Sequence, residues 1–330
     1  MPKMPKCSKC QKEAVARLEY CGLDLCEQCF SELFEKRVWK ANRDYSMLRR
    51  GDKIAVAVSG GKDSAAMLHV LNKMAKKIGG GIKLLPIIVD EGIAGYRPAA
   101  MAKARELCES EGMELSVTSF REQFGGALDE MMKKRGAKKA CGESFGACSL
   151  CGVFRKKSLN AEAIALGADS LAVGHNADDI AQTFLMNLMR KDSSRLVRFA
   201  PKSAGNDGGL VRRIKPLLYN LERECALYCL INQLPFHLQD CPYASESFRG
   251  TVKDFLNSAE EKHAGIKFNL LQSFLMLQKS REAFAIAAAS ASPATAAASG
   301  KCPVCGCASS GGKCKACEYS EKLGLSREIF

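Results

Sequence analysis

KIAVAVSGGKDSAAMLHVLNKMAKK, residues 53–77, decides how this chain folds. The unbroken apolar run Ile54 to Val58 suits a strand buried on both faces, and Ala65 to Lys76 has helical periodicity. Between them lies Ser59-Gly60-Gly61-Lys62-Asp63-Ser64. Small residues there let backbone N–H groups approach an anion, the next helix offers the positive end of its dipole, and Lys62 adds a cation. A Walker A loop would need four residues between its first Gly and the Gly-Lys pair, which this loop lacks. A plain glycine turn would account for Gly60 and Gly61 but not for Lys-Asp-Ser at a strand-to-helix junction. The loop is therefore expected to bind phosphate.

The same alternation continues outward. A second apolar run, Leu84 to Val89, ends in Asp90-Glu91-Gly92, where a base or ribose could lie against strand ends. A third, Ser170 to Val173, runs into Gly174-His175-Asn176-Ala177-Asp178-Asp179 and the helical stretch IAQTFLMNLMR. Asp178 and Asp179 would sit well at a helix start for electrostatic reasons alone; the functional alternative is that one holds Mg²⁺ or works beside the phosphates. Strands alternating with helices imply an α/β fold with an open, mostly parallel sheet and a site at its carboxyl edge.

The 330 residues are enough for about two domains, with a core that needs no disulfide staples. Lys plus Arg outnumber Asp plus Glu by 49 to 36, a net charge of +13 that suits a polyanionic partner. No apolar stretch is long enough to cross a bilayer, and the basic start MPKMPKC lacks the apolar region of a secretory signal. In a reducing compartment the 17 cysteines point to metal or redox chemistry rather than disulfides.

Their spacing separates three groups. Cys7-x2-Cys10 and Cys26-x2-Cys29 are fifteen residues apart, and Cys302-x2-Cys305 and Cys314-x2-Cys317 are eight apart. Each x2 pair converges two thiolates from one tight turn, so both sets are expected to hold zinc and to stabilise modules too small for a core of their own. Cys21 and Cys307 are spare thiols that could replace a ligand. Cys148-x2-Cys151 has no such companion; Cys108, Cys141, Cys225, Cys229 and Cys241 are available to it. This pair could be redox-active, half of a metal site, or part of an iron–sulfur site. Cys225 and Cys229, i and i+4 in LERECALYCLINQL, are expected to face a core. Cys241 precedes Pro242, which stiffens the loop.

SGGKDS at a strand-to-helix turn, with GACSLCGVFRKKSLN, GHNADD and flanking zinc knuckles, resembles the cytoplasmic tRNA 2-thiolation protein 1 and TtuA-type 2-thiouridine synthetases. These belong to the PP-loop, or N-type ATP pyrophosphatase, proteins. The likeness runs from Cys7 to Cys317 and is weakest in the Ala-rich segment. It implies a tRNA sulfurtransferase that adenylates the C2 oxygen of a uridine and replaces AMP with sulfur. It implies an ATP site at Ser59, Gly60, Gly61, Lys62, Asp63, Ser64, Arg155, Gly174 and Asp179, with Lys62 and Asp179 catalytic. It further implies a 4Fe-4S cluster on Cys148, Cys151 and Cys241, with Mg²⁺ and two Zn²⁺. A persulfide mechanism on the same cysteines is the alternative. The wobble uridine is favoured over the T-loop uridine. The sulfur donor would be free sulfide or a ubiquitin-like carrier, and the protein would be cytoplasmic, as a homodimer or paired with a second subunit. A non-catalytic zinc-ribbon scaffold is disfavoured by Lys62, Asp63, Ser64 and Asp179.

This divides the chain into a zinc finger at 1–30, a linking helix at 31–50, a catalytic domain at 51–282, an Ala-rich linker at 283–300 and a zinc ribbon at 301–330. Ten of the eighteen linker residues are Ala, and Pro293 would break a helix there. For tRNA there is separate support. Eight Lys or Arg against one acid, Glu143, lie between Met131 and Asn160. A second run holds Arg190, Lys191, Arg195, Arg198, Lys202, Arg212, Arg213 and Lys215. Phe145 and Phe154 could stack on a base, with core packing as the simpler role. Phe30, Phe34, Val38 and Trp39 suggest an amphipathic helix, and Phe268 to Leu277 late helix core. His69, His237 and His263 are expected to lack a catalytic role, while His175 shapes its turn.

Overall fold

The computed structural model describes residues 5–138, 145–191, 200–203, 209–244, 248–291, 300–309 and 312–325. At its centre β3 (Lys53–Ala57), β4 (Lys83–Asp90), β5 (Ser116–Ser119), β6 (Ser170–Ala172) and β7 (Arg212–Ile214) form a parallel sheet in the order β5-β4-β3-β6-β7. Alternate residues of β3 feed two cores. Ile54 and Val56 enter one, with α1 (Glu27–Tyr45), α2 (Lys62–Ile78), α3 (Arg97–Ser110), α7 (Ala177–Met189) and α8 (Glu222–Ile231). Ala55, with Ile87 and Leu171, enters the other, with α4 (Phe120–Phe124), α5 (Leu128–Lys138), α6 (Ala147–Ala165) and α11 (Lys315–Leu323). A strand covered on both sides has no polar face, which is why 54–58 reads as a solid apolar run.

β3 is central, with β4 on one side and β6 on the other, so the strand order reverses there, and it is at the carboxyl edge of such a point that open α/β sheets bind ligands. Two further helices, α9 (Phe248–Lys262) and α10 (Ile266–Ala291), pack on α7. On α10 the buried stripe is Leu271, Phe274 and Leu275, whereas Met276 and Leu277 are exposed, so the expected core run is narrower than its apolar residues suggest. The helix continues to Ala291, through the first half of the Ala-rich segment; Pro293 lies outside the described residues. No described helix is long and apolar enough to cross a membrane.

The terminal modules each carry a two-stranded hairpin, β1 (Ala16–Leu18) with β2 (Leu23–Leu25), and β8 (Gly300–Lys301) with β9 (Ala308–Ser309). The first helix begins at Glu27 rather than residue 31, so Cys29 sits on it and the first module flows into α1 without a break. Phe30, Phe34 and Val38 are buried along one face, with Phe34 stacked on Tyr228 of α8 at 4.2 Å.

Candidate active site

The 59–64 loop holds itself together with its serines. The Ser59 amide donates to Ser64 Oγ at 3.0 Å, Ser64 Oγ donates to the Gly61 carbonyl at 2.8 Å, and the two hydroxyls lie 3.1 Å apart. Ser64 is buried and committed to this ring of contacts, so it shapes the loop. Gly60 has φ +87, and a Cβ there would meet the Ala100 carbonyl oxygen at 2.1 Å; only glycine satisfies both conditions. Gly61 caps α2 with open space where its side chain would be, apart from Ser59 Oγ at 3.5 Å.

Around this turn, charges alternate in sign. Lys62 Nζ lies 2.9 Å from Glu222 and 3.3 Å from Asp63. Asp63 also accepts from Asn176 at 2.9 Å, which ties the β3 loop to the β6 loop; burial raises its pKa. Gly174 lies against the same turn, where a Cβ would stand in ordinary contact with the Asp63 and Ser64 backbone at 3.4 Å. Asn176 and Asp179 form a reciprocal capping box at the start of α7. Asp178 is buried, ion-paired with Lys267 and accepting from the Glu222 amide at 2.7 Å, and so is spoken for. Asp179 remains partly exposed with Arg249 3.5 Å away; burial pushes its carboxyl up to about 6. His175 is driven down to about 3 by burial and then by cations including Lys215 and Arg249, so it is neutral. Glu222, Arg249, Lys253 and Lys267 were not among the expected site residues. They sit on helices that are remote in sequence, with no motif of their own to mark them.

At the same edge, Cys148 and Cys151 occupy the first turns of α6. Cys148 Sγ donates to the Tyr243 carbonyl at 3.2 Å, which brings it to the loop carrying Cys241, and the Cys151 thiol lies within electrostatic reach of both others. Burial pushes Cys151 up to about 11, opposed by Arg155, whose Nη2 donates to its sulfur at 3.2 Å. The Arg155 Nε donates to Glu91 at 2.7 Å, directly after β4. The loop with Cys241 is also tied to the glycine turn, because the His237 amide donates to the Gly60 carbonyl at 2.8 Å. Unlike the terminal four-cysteine groups, these three sulfurs do not all lie within 4.8 Å of one another, and a guanidinium stands beside one of them. Cys141 lies outside the described residues. Cys225 and Cys229 face the core as expected, beneath Lys62 and Asp63; the Cys229 thiol donates to the Lys62 carbonyl.

Cys7, Cys10, Cys26 and Cys29, and likewise Cys302, Cys305, Cys314 and Cys317, place their sulfurs within 4.8 Å of one another. Burial raises the Cys7 and Cys302 thiols, but backbone amides aimed at the sulfurs prevail and bring each to about 6, which suits thiolate ligands of zinc. Cys21 and Cys307 belong to neither group. The last module leans on α6, with Tyr319 stacked on Phe145 at 4.6 Å. Phe154 is core, stacked on Phe124 at 4.1 Å. Much of the second basic run is occupied internally. Lys202 donates to the Tyr45 and Ser46 carbonyls, Arg212 to Met47, Arg213 to Lys156 and Lys215 to Ala200. Arg195 and Arg198 lie outside the described residues.

Residues 30–252 match the model of the PP-loop domain, and residues 6–31 that of the 2-thiouridine synthetase TtuA N-terminal LIM domain. The cytoplasmic tRNA 2-thiolation protein 1 of Drosophila sechellia is 33% identical over 327 residues, 98% of this chain and 88% of that protein. The chain belongs to the tRNA 2-thiolation family of PP-loop proteins. A probable sulfurtransferase of Methanocaldococcus jannaschii is 35% identical over 319 residues, 95% of this chain and 87% of that one. The solved structure of the U34-tRNA thiolase NcsA from Methanococcus maripaludis, with its 4Fe-4S cluster, superposes over 100% of both chains with a TM-score of 0.81 and 32% identity. The family thus spans both zinc-type modules and the sheet edge where the glycine turn meets the cysteines.

Proposed function

We propose that this chain is an ATP-dependent tRNA sulfurtransferase that converts a uridine, at the wobble position, to 2-thiouridine in the cytoplasm. The observation that carries the reading is the juxtaposition of the glycine turn and a three-cysteine group at one sheet edge, joined through Arg97, Glu91 and Arg155. The full-length likeness to a U34-tRNA thiolase supports the position of the target.

In the first step the uridine C2 oxygen attacks the α-phosphorus of ATP, and the bond to pyrophosphate breaks. Lys62 and the Gly60 amide would meet the departing pyrophosphate, while the Gly61 amide donates to Ser59 Oγ at 3.3 Å and, with Ser64, holds the turn in shape. Arg155, 47% exposed while its head is held by Glu91, is free on one side to meet a phosphate. Asp179 is the carboxylate available to Mg²⁺, since Asp178 is consumed by Lys267. In the second step sulfide adds at C2 and AMP leaves with the C2–O bond. Cys148, Cys151 and Cys241 would hold a 4Fe-4S cluster, which supplies an iron lacking a protein thiolate and so open to a sulfur ligand. The sulfur comes from free sulfide or a ubiquitin-like carrier, and the protein works as a homodimer or with a second subunit. The two four-cysteine groups hold structural zinc.

The test is iron and acid-labile sulfide per chain after anaerobic purification, followed by ATP-dependent thiolation of tRNA. About four of each, beyond zinc, together with AMP release matched to 2-thiouridine formed, is the expected result. Zinc alone after reconstitution, with thiolation retained, would replace the cluster by cysteine persulfide chemistry.

A further inference from the structure

Between the glycine turn and the cysteine group runs an unbroken chain of charged contacts. Arg97, the first residue of α3, is 4% exposed; its Nη1 donates to the Ser59 carbonyl at 2.9 Å and its Nη2 to the Val89 carbonyl. Its Nε lies 2.8 Å from Glu91 Oε2, an ion pair by distance although not aligned as a hydrogen bond. Glu91, 2% exposed, turns its other oxygen to Arg155 Nε at 2.7 Å, and Arg155 reaches Cys151 at 3.2 Å. One carboxylate thus serves two guanidiniums, leaving a net positive charge whose exposed end is Arg155 alone.

Burying ion pairs is a poor way to stabilise a fold, because the desolvation cost rivals the attraction and apolar residues would pack as well. What such a chain supplies is direction. It fixes the azimuth of one long, otherwise flexible side chain relative to two separate loops. We propose that Glu91 and Arg97 are positioning residues of the thiolation reaction, holding Arg155 in register between the phosphate turn and the three-cysteine site. This rests on the function proposed above. Glu91 grips Arg155 at the guanidinium, so that the remaining N–H groups address a thiolate on one side and a phosphate on the other. Arg97 anchors Glu91 to the turn itself, so a shift of Ser59 is passed to Arg155 through two side chains rather than through solvent.

The test is a double-mutant cycle on the full, anaerobically reconstituted protein: the natural chain, Glu91→Gln, Arg155→Met and the pair together. Zinc, iron, thermal midpoint, the cluster's electron paramagnetic resonance signal, and kcat and KM for ATP in tRNA thiolation are measured. Glu91→Gln is expected to keep metal content and lower kcat by about tenfold or more, with an altered resonance signal, in line with the cost of misplacing a reacting group. In the Arg155→Met background the same change is expected to alter kcat less than about twofold, since nothing is left to position. An equal loss in both backgrounds, or a natural kcat for Glu91→Gln, overturns the proposal. Should Glu91→Gln fail to fold, Glu91→Asp keeps the charge but is too short to meet both arginines; a reduced kcat with a normal thermal midpoint supports the proposal, and an unchanged kcat overturns it. A natural chain that neither binds iron nor thiolates tRNA removes the proposed function, and this proposal with it.

Discussion

Replacing Gly60 by alanine should disable the phosphate turn with little room for compensation. The residue sits at φ +87, and its new Cβ would lie 2.1 Å from the Ala100 carbonyl oxygen, 2.7 Å from its carbon and 3.0 Å from its Cα. All three are backbone atoms of α3, so no flexible side chain can swing aside. The turn is also pinned by Arg97 at Ser59 and by the His237 amide at Gly60, which blocks a simple retreat. A strained backbone conformation costs about 1–3 kcal/mol, and overpacking of this kind costs about 1–3 kcal/mol more. At about 1.4 kcal/mol per factor of ten, the competent turn becomes roughly 30- to 20,000-fold less populated. Calorimetric titration with ATP and kcat/KM for tRNA thiolation should both register the loss, alongside a lowered thermal midpoint. Gly61→Ala is the control: with ordinary helical-cap geometry and only Ser59 Oγ at 3.5 Å, it should leave the thermal midpoint in place while blocking phosphate approach. A Gly60→Ala protein that binds ATP and melts like the natural one would refute the reasoning.

Asp179, pushed up from 3.8 to about 6, binds a proton more tightly folded than unfolded, so its contribution to stability falls as pH rises through that window. Asp179→Asn should flatten the thermal midpoint against pH between about 4 and 6, and kcat of the natural protein should drop as pH falls below about 6; an unchanged slope in the mutant would assign the effect elsewhere. Cys241→Ser should lose iron and thiolation together while keeping both zincs, as read by elemental analysis; a retained cluster would point to another third ligand. Cys302→Ser should lose one zinc per chain and free the last module from Phe145, detectable as faster proteolysis near residue 300, with iron content unchanged.

The parts of this site that a reader of the sequence can find are those built from neighbours along the chain. Ser59 to Ser64 lie within one strand-to-helix turn, and the two cysteines of each terminal CxxC pair have only two residues between them, so local spacing is also spatial spacing. Glu91 and Arg155 are 64 residues apart and meet only because β4 and α6 pack at the same edge, a fact set by strand order rather than by any motif. Glu222, Lys253 and Lys267 are similarly invisible: their helices read as ordinary amphipathic segments, and only the packing of α8 on α2 and of α9 and α10 on α7 brings them against Lys62 and Asp178. Charge runs mislead in the opposite direction. Lys202, Arg212, Arg213 and Lys215 look like a phosphate track, yet they donate to main-chain carbonyls: those of Tyr45, Ser46 and Met47 at the end of α1, of Lys156 within α6, and of Ala200.

Tyr20, in the first zinc-type module, donates to Glu224 of α8, and Arg37 of α1 pairs with the same carboxylate across 187 positions of sequence. During synthesis at about 5–20 residues per second, α1 leaves the ribosome roughly 10 to 40 seconds before the helix that will bury its apolar face. Its four thiols, by contrast, are all present within the first 29 residues. If those thiols take zinc as proposed, metal capture and the β1–β2 hairpin are native closures open to the nascent N-terminus, and together they would give Phe30 and Phe34 a scaffold before Tyr228 is made. On that proposal, a shortage of zinc would deplete the protein through aggregation of new chains rather than through inactivation of old ones.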